Sequence, residues 1–472
     1  MLYGRSVSPE ALGLVADVRN CSFWLDDVRR PEPSPPLKGD STADLVIVGG
    51  GFTGLWAALH AIERNPRRDV LLIEGDRIAN EATGRNGGFV SASITHGLAN
   101  GHGRWPDEMP ELLRLGSANL DAIEAFIVSE GIDCDFVRDG DFTVATQSYH
   151  VQMLQDYVEL ATRYGESATW LDAEAMQARV RSSAYLGGVW SRGSTAVVNP
   201  ARLAWGLAEV ARRKGVRIAE GTRLTGMQRD GSGMHVTTNG ATIHARRVLL
   251  ATGAGPSPVR TLKHYIAPVY DYVLVTEPLT SAQNAEIGWM DFAGIDDAGN
   301  QFHYYRRTSD GRILWGGYDA VYHRGNGFGP QHDVDRESFG RLAEHFFATF
   351  PQLDGLNFTH GWGGAIDTCS RFAAFWGLAY SGRVSYVAGY TGLGVGTSRF
   401  GAEVALDLLD GIDSPATRLS MVRTKPLPFP PEPARSVGIN LMRRALAQAD
   451  EHQGHRNLWL RAMDRLGLGF DS

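Results

Sequence analysis

The stretch Asp44-Leu45-Val46-Ile47-Val48-Gly49-Gly50-Gly51-Phe52-Thr53-Gly54-Leu55 leaves this chain few folds to choose from. Leu45 to Val48 is a continuous apolar run, the pattern of a strand buried on both faces in a parallel sheet. A glycine cluster stops the run, and Leu55-Trp56-Ala57-Ala58-Leu59 with Ile62 reads as the helix that follows. The spacing Gly49-x-Gly51-x-x-Gly54 supplies what a pyrophosphate needs. Gly49 permits the tight turn, Gly51 lets backbone approach the phosphates, and Gly54 lets helix and strand pack closely. The helix start then offers unpaired N–H groups and a positive dipole to the diphosphate. A second apolar run, Val70 to Ile73, ends at Glu74, about 20 residues beyond the last glycine, where an acid that holds a ribose belongs. The competing reading is a glycine-rich turn in some other α/β protein. Strand, triplet, helix, strand and acid in register favour a dinucleotide site.

At 472 residues the chain exceeds one ordinary core, so two or more interleaved domains are expected. Hydrophobic residues at 43% and charged residues at 21% fit an ordinary globular protein. A net charge of -7 argues against a general nucleic-acid binder. The three cysteines, Cys21, Cys134 and Cys369, are far apart and odd in number, which fits neither a disulfide framework nor a zinc site. No signal peptide is expected from the first twenty residues, which carry Arg5, Glu10, Asp17 and Arg19 around a short apolar patch. No run of about 18 apolar residues suggests a membrane span. A cytoplasmic enzyme is the expectation.

Along the chain, residues 1–41 form an extension ending in Pro31-Glu32-Pro33-Ser34-Pro35-Pro36, with Phe23 and Trp24 as candidates to pin it. A polar, glycine-rich loop, Ala82 to Gly88, follows Glu74. Helices are expected over 108–130, 148–164 and from Pro200, with strands at 140–145 and 215–218. Segments 223–228 and 235–238 read as a hairpin, and Arg247 to Leu250 as a strand that ends at Ala251-Thr252-Gly253. From Ile266 to Gly364 the alternating segments Tyr270–Thr276, His303–Arg307 and 312–316 point to an antiparallel sheet. A last strand, Val384 to Ala388, stops at Gly389-Tyr390-Thr391-Gly392-Leu393-Gly394, and a helix follows over Ser398–Leu409. After a proline-rich connector, Leu441, Leu446, Leu458, Leu460, Met463 and Leu466 read as one or two amphipathic helices that pack on the body or on a partner.

In order and content these segments resemble the D-amino-acid-oxidase superfamily of flavoproteins from Asp44 to Gly411. The Gly84-Arg85-Asn86-Gly87-Gly88 loop is most similar to that of γ-glutamylputrescine oxidases and putative aminophosphonate oxidoreductases. The resemblance implies an α/β plus antiparallel-β architecture. A discontinuous, Rossmann-like FAD-binding domain would span 42–98, 195–262 and 365–415, and a substrate domain on a mixed or antiparallel sheet 99–194 and 263–364. Residues 416–472 would form a Pro-rich linker and helical tail. FAD is the implied cofactor. Gly49, Gly51, Phe52, Thr53 and Gly54 would hold its pyrophosphate, and Glu74, Gly75 and Arg77 its adenosine ribose. Leu224 matches the adenine-contacting position. Thr83, Arg85, Asn86, Gly87 and Gly88 would run beside the ribityl chain and flavin ring. Thr252 and Gly253 would lie against the cofactor, and Gly389, Tyr390, Thr391, Gly392, Leu393 and Gly394 would face the flavin's pyrimidine edge with backbone donors.

Departures qualify the carry-over. Many relatives have His where Leu393 stands, and the oxygen-activating Lys of sarcosine-oxidase-like members aligns with Trp315. Cys369 lies a few residues beyond the position of their flavin-linked Cys, so non-covalent FAD is expected. The implied chemistry is oxidation of a C–N bond in an amine or amino acid (amine, polyamine derivative, N-methyl amino acid or aminophosphonate) by hydride transfer to flavin N5, with the imine hydrolysed and O2 the expected acceptor, giving H2O2. The alternatives are a dehydrogenase with a quinone or protein acceptor, an alcohol oxidiser, or a flavoprotein without turnover. Four side chains are candidates for the substrate pocket. Arg306 would hold a carboxylate or phosphonate, or else be a solvated strand arginine or part of a flavin-supporting ion pair. Tyr304 and Trp315 would wall an amine, or else pack in the sheet core. His96 would tune or deprotonate substrate, or else be structural. Beside these four, Asp367 would attract a cationic amine or tie down its own loop. A second copy of the chain is a candidate partner for the C-terminal helices.

Overall fold

The computed structural model describes residues 2–465, 467 and 468. Its first sheet is built around Ser41–Val48, which pairs in parallel with Val70–Ile73 on one side and Thr242–Leu250 on the other. Further parallel pairs add Arg217–Ala219 and Val384–Ala388. Strands in this setting are apolar on both faces because both faces are covered. Leu45 and Ile47 pack into the cluster that holds the helix Phe52–Arg64, while Val46 and Val48 pack into the cluster on the opposite face. The expected hairpin is present as Leu224–Asp230 and Gly233–Thr238, antiparallel to one another and to Thr242–Leu250. Phe375–Ala379 closes the far edge, also antiparallel.

The second sheet has nine strands, and its centre is Ala267–Thr276. That strand pairs antiparallel with Phe358–Thr368 over its whole length and with Ile313–Gly317 on its other side. His303–Arg307 and Gly294–Asp297 follow in antiparallel order. A single parallel pairing then joins Gly294–Asp297 to Asp141–Ala145, and antiparallel pairings add Gly187–Ser191 and Ala168–Asp172. Strand alternation divides the residues between two faces. Phe142, Tyr270, Tyr272, Ile295, Tyr305 and Trp315 share one core with Phe339 and Phe346 of the helix Arg336–Thr349. Asp141, Val269, Asp271, Val273, Asp296 and Tyr304 face the other way, into a cavity between the two sheets.

The N-terminal extension is pinned as the aromatic residues suggest. Trp24 is 2% exposed and its Nε1 donates to the carbonyl of Asn86 at 2.9 Å. The tail forms two helices, Ala434–Glu451 and Leu458–Arg465, and both lie on the body of the same chain. Carboxylates hold the first of them near its two ends. Glu432 accepts from Tyr322 Oη at 2.8 Å and Gly325 N at 3.0 Å. Asp450 accepts from Tyr149 Oη at 2.9 Å, from Asn300 through both N (3.0 Å) and Nδ2 (2.6 Å), and from Gln301 N at 3.1 Å. Among the described residues, no helix is long and apolar enough to cross a membrane.

Candidate cofactor and substrate cleft

A cavity of about 1050 Å³ opens where the two sheets meet. One wall is the start of the helix Phe52–Arg64, where Gly51, Phe52 and Thr53 line the space. The glycines here are required by contact. A Cβ on Gly54 would fall inside the carbonyl oxygen of Gly49, and one on Gly51 would lie 2.8 Å from Thr83 Oγ1. Neither this helix nor the helix Gly394–Asp410 receives a side-chain bond from its N-cap residue, and both begin at the cavity. Two such starts facing one enclosed space suit a ligand with anionic ends.

The loop Ala82–Gly88 forms the next wall, and it is fixed by donors from distant segments. The carbonyl of Gly84 accepts from Ser22 Oγ at 2.6 Å, that of Arg85 from Trp362 Nε1 at 2.8 Å, and that of Asn86 from Trp24 Nε1. Asn86 ties the loop to itself, accepting Gly88 N–H at 2.8 Å and donating to Thr83 O at 2.8 Å. Arg85 is ion-paired with Asp333 and donates to Asn80 O at 2.8 Å. Thr83, Arg85, Asn86 and Gly87 reach the cavity surface. Gly87 is glycine because a Cβ there would stand 2.7 Å from the Tyr304 ring, and Gly316 makes room for the same ring from below.

Tyr304 does line the cavity. Its hydroxyl donates to Asp271 Oδ2 at 2.6 Å, and Tyr272 N–H donates to Asp271 Oδ1 at 2.8 Å. Burial pushes the Asp271 carboxyl up to about 7, against the pull of those two donors. His96 also faces the cavity, with its Nε2 donating to the carbonyl of Thr391 at 2.9 Å. Burial lowers its pKa, so it is a neutral ring that braces the Gly389–Gly394 loop. Asp367 braces the same loop by accepting Gly389 N–H at 2.7 Å, and burial raises its carboxyl to about 6. Tyr390, Thr391, Gly392, Leu393 and Gly394 reach the surface, and the Tyr390 hydroxyl accepts from Thr53 Oγ1 at 2.9 Å. Because Gly389 N–H is spent on Asp367, the free donors on this side belong to the helix start and not to the whole loop.

Two of the four substrate-pocket candidates lie elsewhere. Arg306 is 2% exposed and sits behind the loop, donating to Val198 O at 2.7 Å and Gly88 O at 3.2 Å. Alternation puts it on the same face as Tyr304, but the Gly88 loop covers that end of the strand, so it clamps backbone instead of meeting substrate. Trp315 pairs with Tyr305, not Tyr304, and is fully enclosed in the core on the opposite face. Arg306→Ala should therefore destabilise the fold by about 3 kcal/mol in denaturant titration, since two buried carbonyls lose their donor. Its effect on KM should be equal for anionic and neutral amines.

The remaining expected cofactor positions support the cleft from outside it. Gly49, Gly54 and Gly88 shape turns beneath the surface, and Gly389 anchors its loop. Gly253 lines the cavity, and Thr252 is one residue behind it. Glu74 accepts Gly50 N–H at 2.6 Å and Asp76 N–H at 2.8 Å, which leaves each oxygen able to take a second donor such as a ribose hydroxyl. Thr222 N–H donates to Glu74 O at 2.7 Å, bringing the Arg223 side chain beside Gly75, with Leu224 starting the strand that follows. Arg77 turns away to the carbonyl of Pro31, because the proline-rich strap runs across it. Sequence patterns missed Asp271, Asp141 and Asp296 on the sheet, and the tail as a cavity wall through Met442, Leu446 and Trp459. One signal was available: Asp271 is the only charge in Ala267–Thr276.

A family model for FAD-dependent oxidoreductases, DAO, matches residues 44–408. The chain belongs to this family. Among curated relatives, the gamma-glutamylputrescine oxidoreductase of Escherichia coli K12 is 30% identical over 403 residues, covering 83% of this chain and 89% of that protein. The sarcosine oxidase subunit beta of Rhizobium meliloti is 25% identical, covering 75% and 80%. Among solved structures, glycine oxidase from Geobacillus kaustophilus superposes with a TM-score of 0.67 at 20% identity, covering 81% of this chain and 99% of that one. L-proline dehydrogenase from P. horikoshii gives 0.65 at 18%, covering 81% and 96%. FAD is thus the cofactor of this DAO-family oxidoreductase, and the helix starts without an N-cap side-chain bond and the side-chain-free turns fit its diphosphate.

Proposed function

We propose that the chain oxidises a C–N bond of an amine, with Asp271 and Tyr304 as the groups that receive the substrate's ammonium proton. The observation that carries this reading is the 2.6 Å Tyr304–Asp271 hydrogen bond on the cavity face, with the carboxyl raised to about 7 by burial. The relatives named for putrescine-derived, N-methyl and amino-acid substrates support the substrate class. Only a neutral amine has the lone pair that assists loss of hydride from its carbon. A carboxylate poised near neutrality takes the ammonium proton with little driving force wasted in either direction. FAD, when bound, supplies the hydride acceptor at N5. The protein's share is orientation by the Tyr304 ring and the sheet floor, and exclusion of water beneath the tail. The two-electron product is an imine, which water hydrolyses to a carbonyl compound and an amine.

We assign the pyrophosphate to the Gly49–Gly54 turn, the ribose to Glu74, and the flavin to the space between Ala82–Gly88 and Gly389–Gly394. We keep the expected domain limits as part of this proposal, and the division of the strands between two sheets supports them. Cys369 donates its thiol to Ala373 O at 3.2 Å and burial raises its pKa, which supports non-covalent FAD. O2 is the proposed acceptor.

The test is an anaerobic visible spectrum of the FAD-loaded protein titrated with amines, amino acids, aminophosphonates and a glycerol phosphate. Bleaching of the flavin band by amines, and recovery with peroxide when air is readmitted, is the expected result. Bleaching by the alcohol alone overturns the reading, and bleaching by amines without recovery in air overturns the acceptor.

A further inference from the structure

The strand Asp141–Ala145 carries a feature that the reaction above does not use. Alternation sends Phe142 and Val144 into the core and Asp141 to the cavity face. On the neighbouring strand Ile295 is in the core and Asp296 faces the cavity. Asp141 Oδ1 is shielded from solvent and has no hydrogen-bond partner, and burial raises the Asp141 carboxyl to about 6 against the pull of the Thr195 and Ser194 side chains. Asp296 receives one long side-chain bond, from Thr143 Oγ1 at 3.3 Å. Burial and mutual repulsion raise the Asp296 carboxyl, and Asp297 adds to this. No described residue forms an ion pair with either acid. Arg192, on the same wall, is exposed and stacked 3.9 Å from the Trp190 ring centroid. Tyr157, Glu166 and Ser191 complete a wall of oxygens. Two enclosed carboxylates without a counter-cation are costly to a fold, so their oxygens mark a place where a cation from outside is welcome.

We propose that Asp141 and Asp296 form a cation subsite that takes a second positively charged group of the amine substrate, making diamines and longer polycations the preferred substrates. This deepens the proposed function and rests on it for the reacting end. Asp296 pairs directly with Tyr304, and Asp141 lies one strand further on and two residues along, so the subsite lies roughly 5–12 Å from Tyr304. A short methylene chain spans that distance. Its apolar middle would pass beneath Met442, Leu446 and Trp459 of the tail, which line the same cavity.

The test separates binding from turnover. Calorimetry on the FAD-loaded protein compares butane-1,4-diguanidine, a permanent dication, with butylguanidine, its single-charge counterpart. The wild type should bind the dication at least tenfold more tightly. Asp141→Asn and Asp296→Asn should each cut that preference at least fivefold, through loss on the dication side. Neither variant should melt lower than wild type, because an amide relieves an unpaired buried charge. A wild-type preference near unity, no binding of either guest, or a preference that survives both substitutions overturns the subsite. A variant that melts several degrees lower and weakens both guests equally shows a structural role and overturns it too. Flavin bleaching by putrescine and by butylamine reads the reaction separately. If neither amine bleaches the flavin while the dication preference and its loss stand, the reaction assignment falls and the subsite remains.

Discussion

Gly51→Val is expected to purify without flavin colour while keeping its fold. The backbone at Gly51 is extended, with φ of -86°, so valine meets no conformational penalty there. Its Cβ, however, would lie 2.8 Å from Thr83 Oγ1, which accepts Phe52 N–H at 3.2 Å. The two branches of valine would stand between the helix start and the Ala82–Asn86 loop, in the path assigned to the diphosphate. FAD affinity should fall by at least about 100-fold, a loss of roughly 3 kcal/mol. Gly54→Ala is the contrasting variant. Its Cβ would fall inside the Gly49 carbonyl oxygen and 3.3 Å from Ile47 Cγ2, so the helix must move off the strand. That protein should lose flavin and also melt well below wild type. Flavin absorbance per protein, read beside a thermal melt, separates the two. A yellow Gly51→Val protein would remove the diphosphate from this turn.

Asp271→Asn should lower kcat/KM for amines by about 100-fold, the usual size of a general-base contribution. In the wild type kcat/KM should rise with pH through about 7 as Asp271 ionises, and the variant should lose that rise. Stability should move in the opposite direction. The folded carboxyl holds its proton up to about 7, whereas the ordinary value is 3.8. Between those values the folded state binds more protons than the unfolded one, so this group makes the fold less stable as pH rises. The cost is absent below the lower value and complete above the upper one. The asparagine variant avoids it, keeps an oxygen for Tyr272 N–H and turns its amide N–H toward the Tyr304 oxygen, which then accepts. It should melt higher than wild type by on the order of 5 °C at pH 8 and no higher at pH 4. A variant that is equally active, or less stable at pH 8, would take Asp271 out of the mechanism.

The residues at which sequence reading failed show where its reach ends. Tyr304-Tyr305-Arg306-Arg307 was legible as a strand, and period-two alternation correctly groups Tyr304 with Arg306. Which end of that face is open is decided by the Gly88 loop, more than 200 positions away, whose carbonyl takes the Arg306 guanidinium. Trp315 fails for a different reason. Its strand pairs through Trp315↔Tyr305 and Gly316↔Tyr304, and a shift of one residue would have sent Trp315 to the cavity. Neither fact is written locally. Asp271 carried a visible sign as a lone charge in an apolar strand, whereas Asp141 and Asp296 sit in segments whose polarity looks ordinary until the pairing sets them diagonally on one face, two positions apart.

The sequence by itself determined the nucleotide-binding half, because each of its requirements acts over a few residues. Two apolar strands need burial on both faces, and the turn between strand and helix tolerates no Cβ at Gly49 or Gly54. Those demands leave their mark as adjacent residue types. Tertiary structure alone decided the side proposed for substrate. Asp271, Tyr304, Asp296 and Asp141 come from four strands, the loop over them is held by Ser22, Trp24 and Trp362, and the roof is a tail anchored through Glu432 and Asp450. Their positions depend on register and on contacts between segments hundreds of residues apart. No local pattern records such contacts, because side-chain packing selects them only once both sheets are formed.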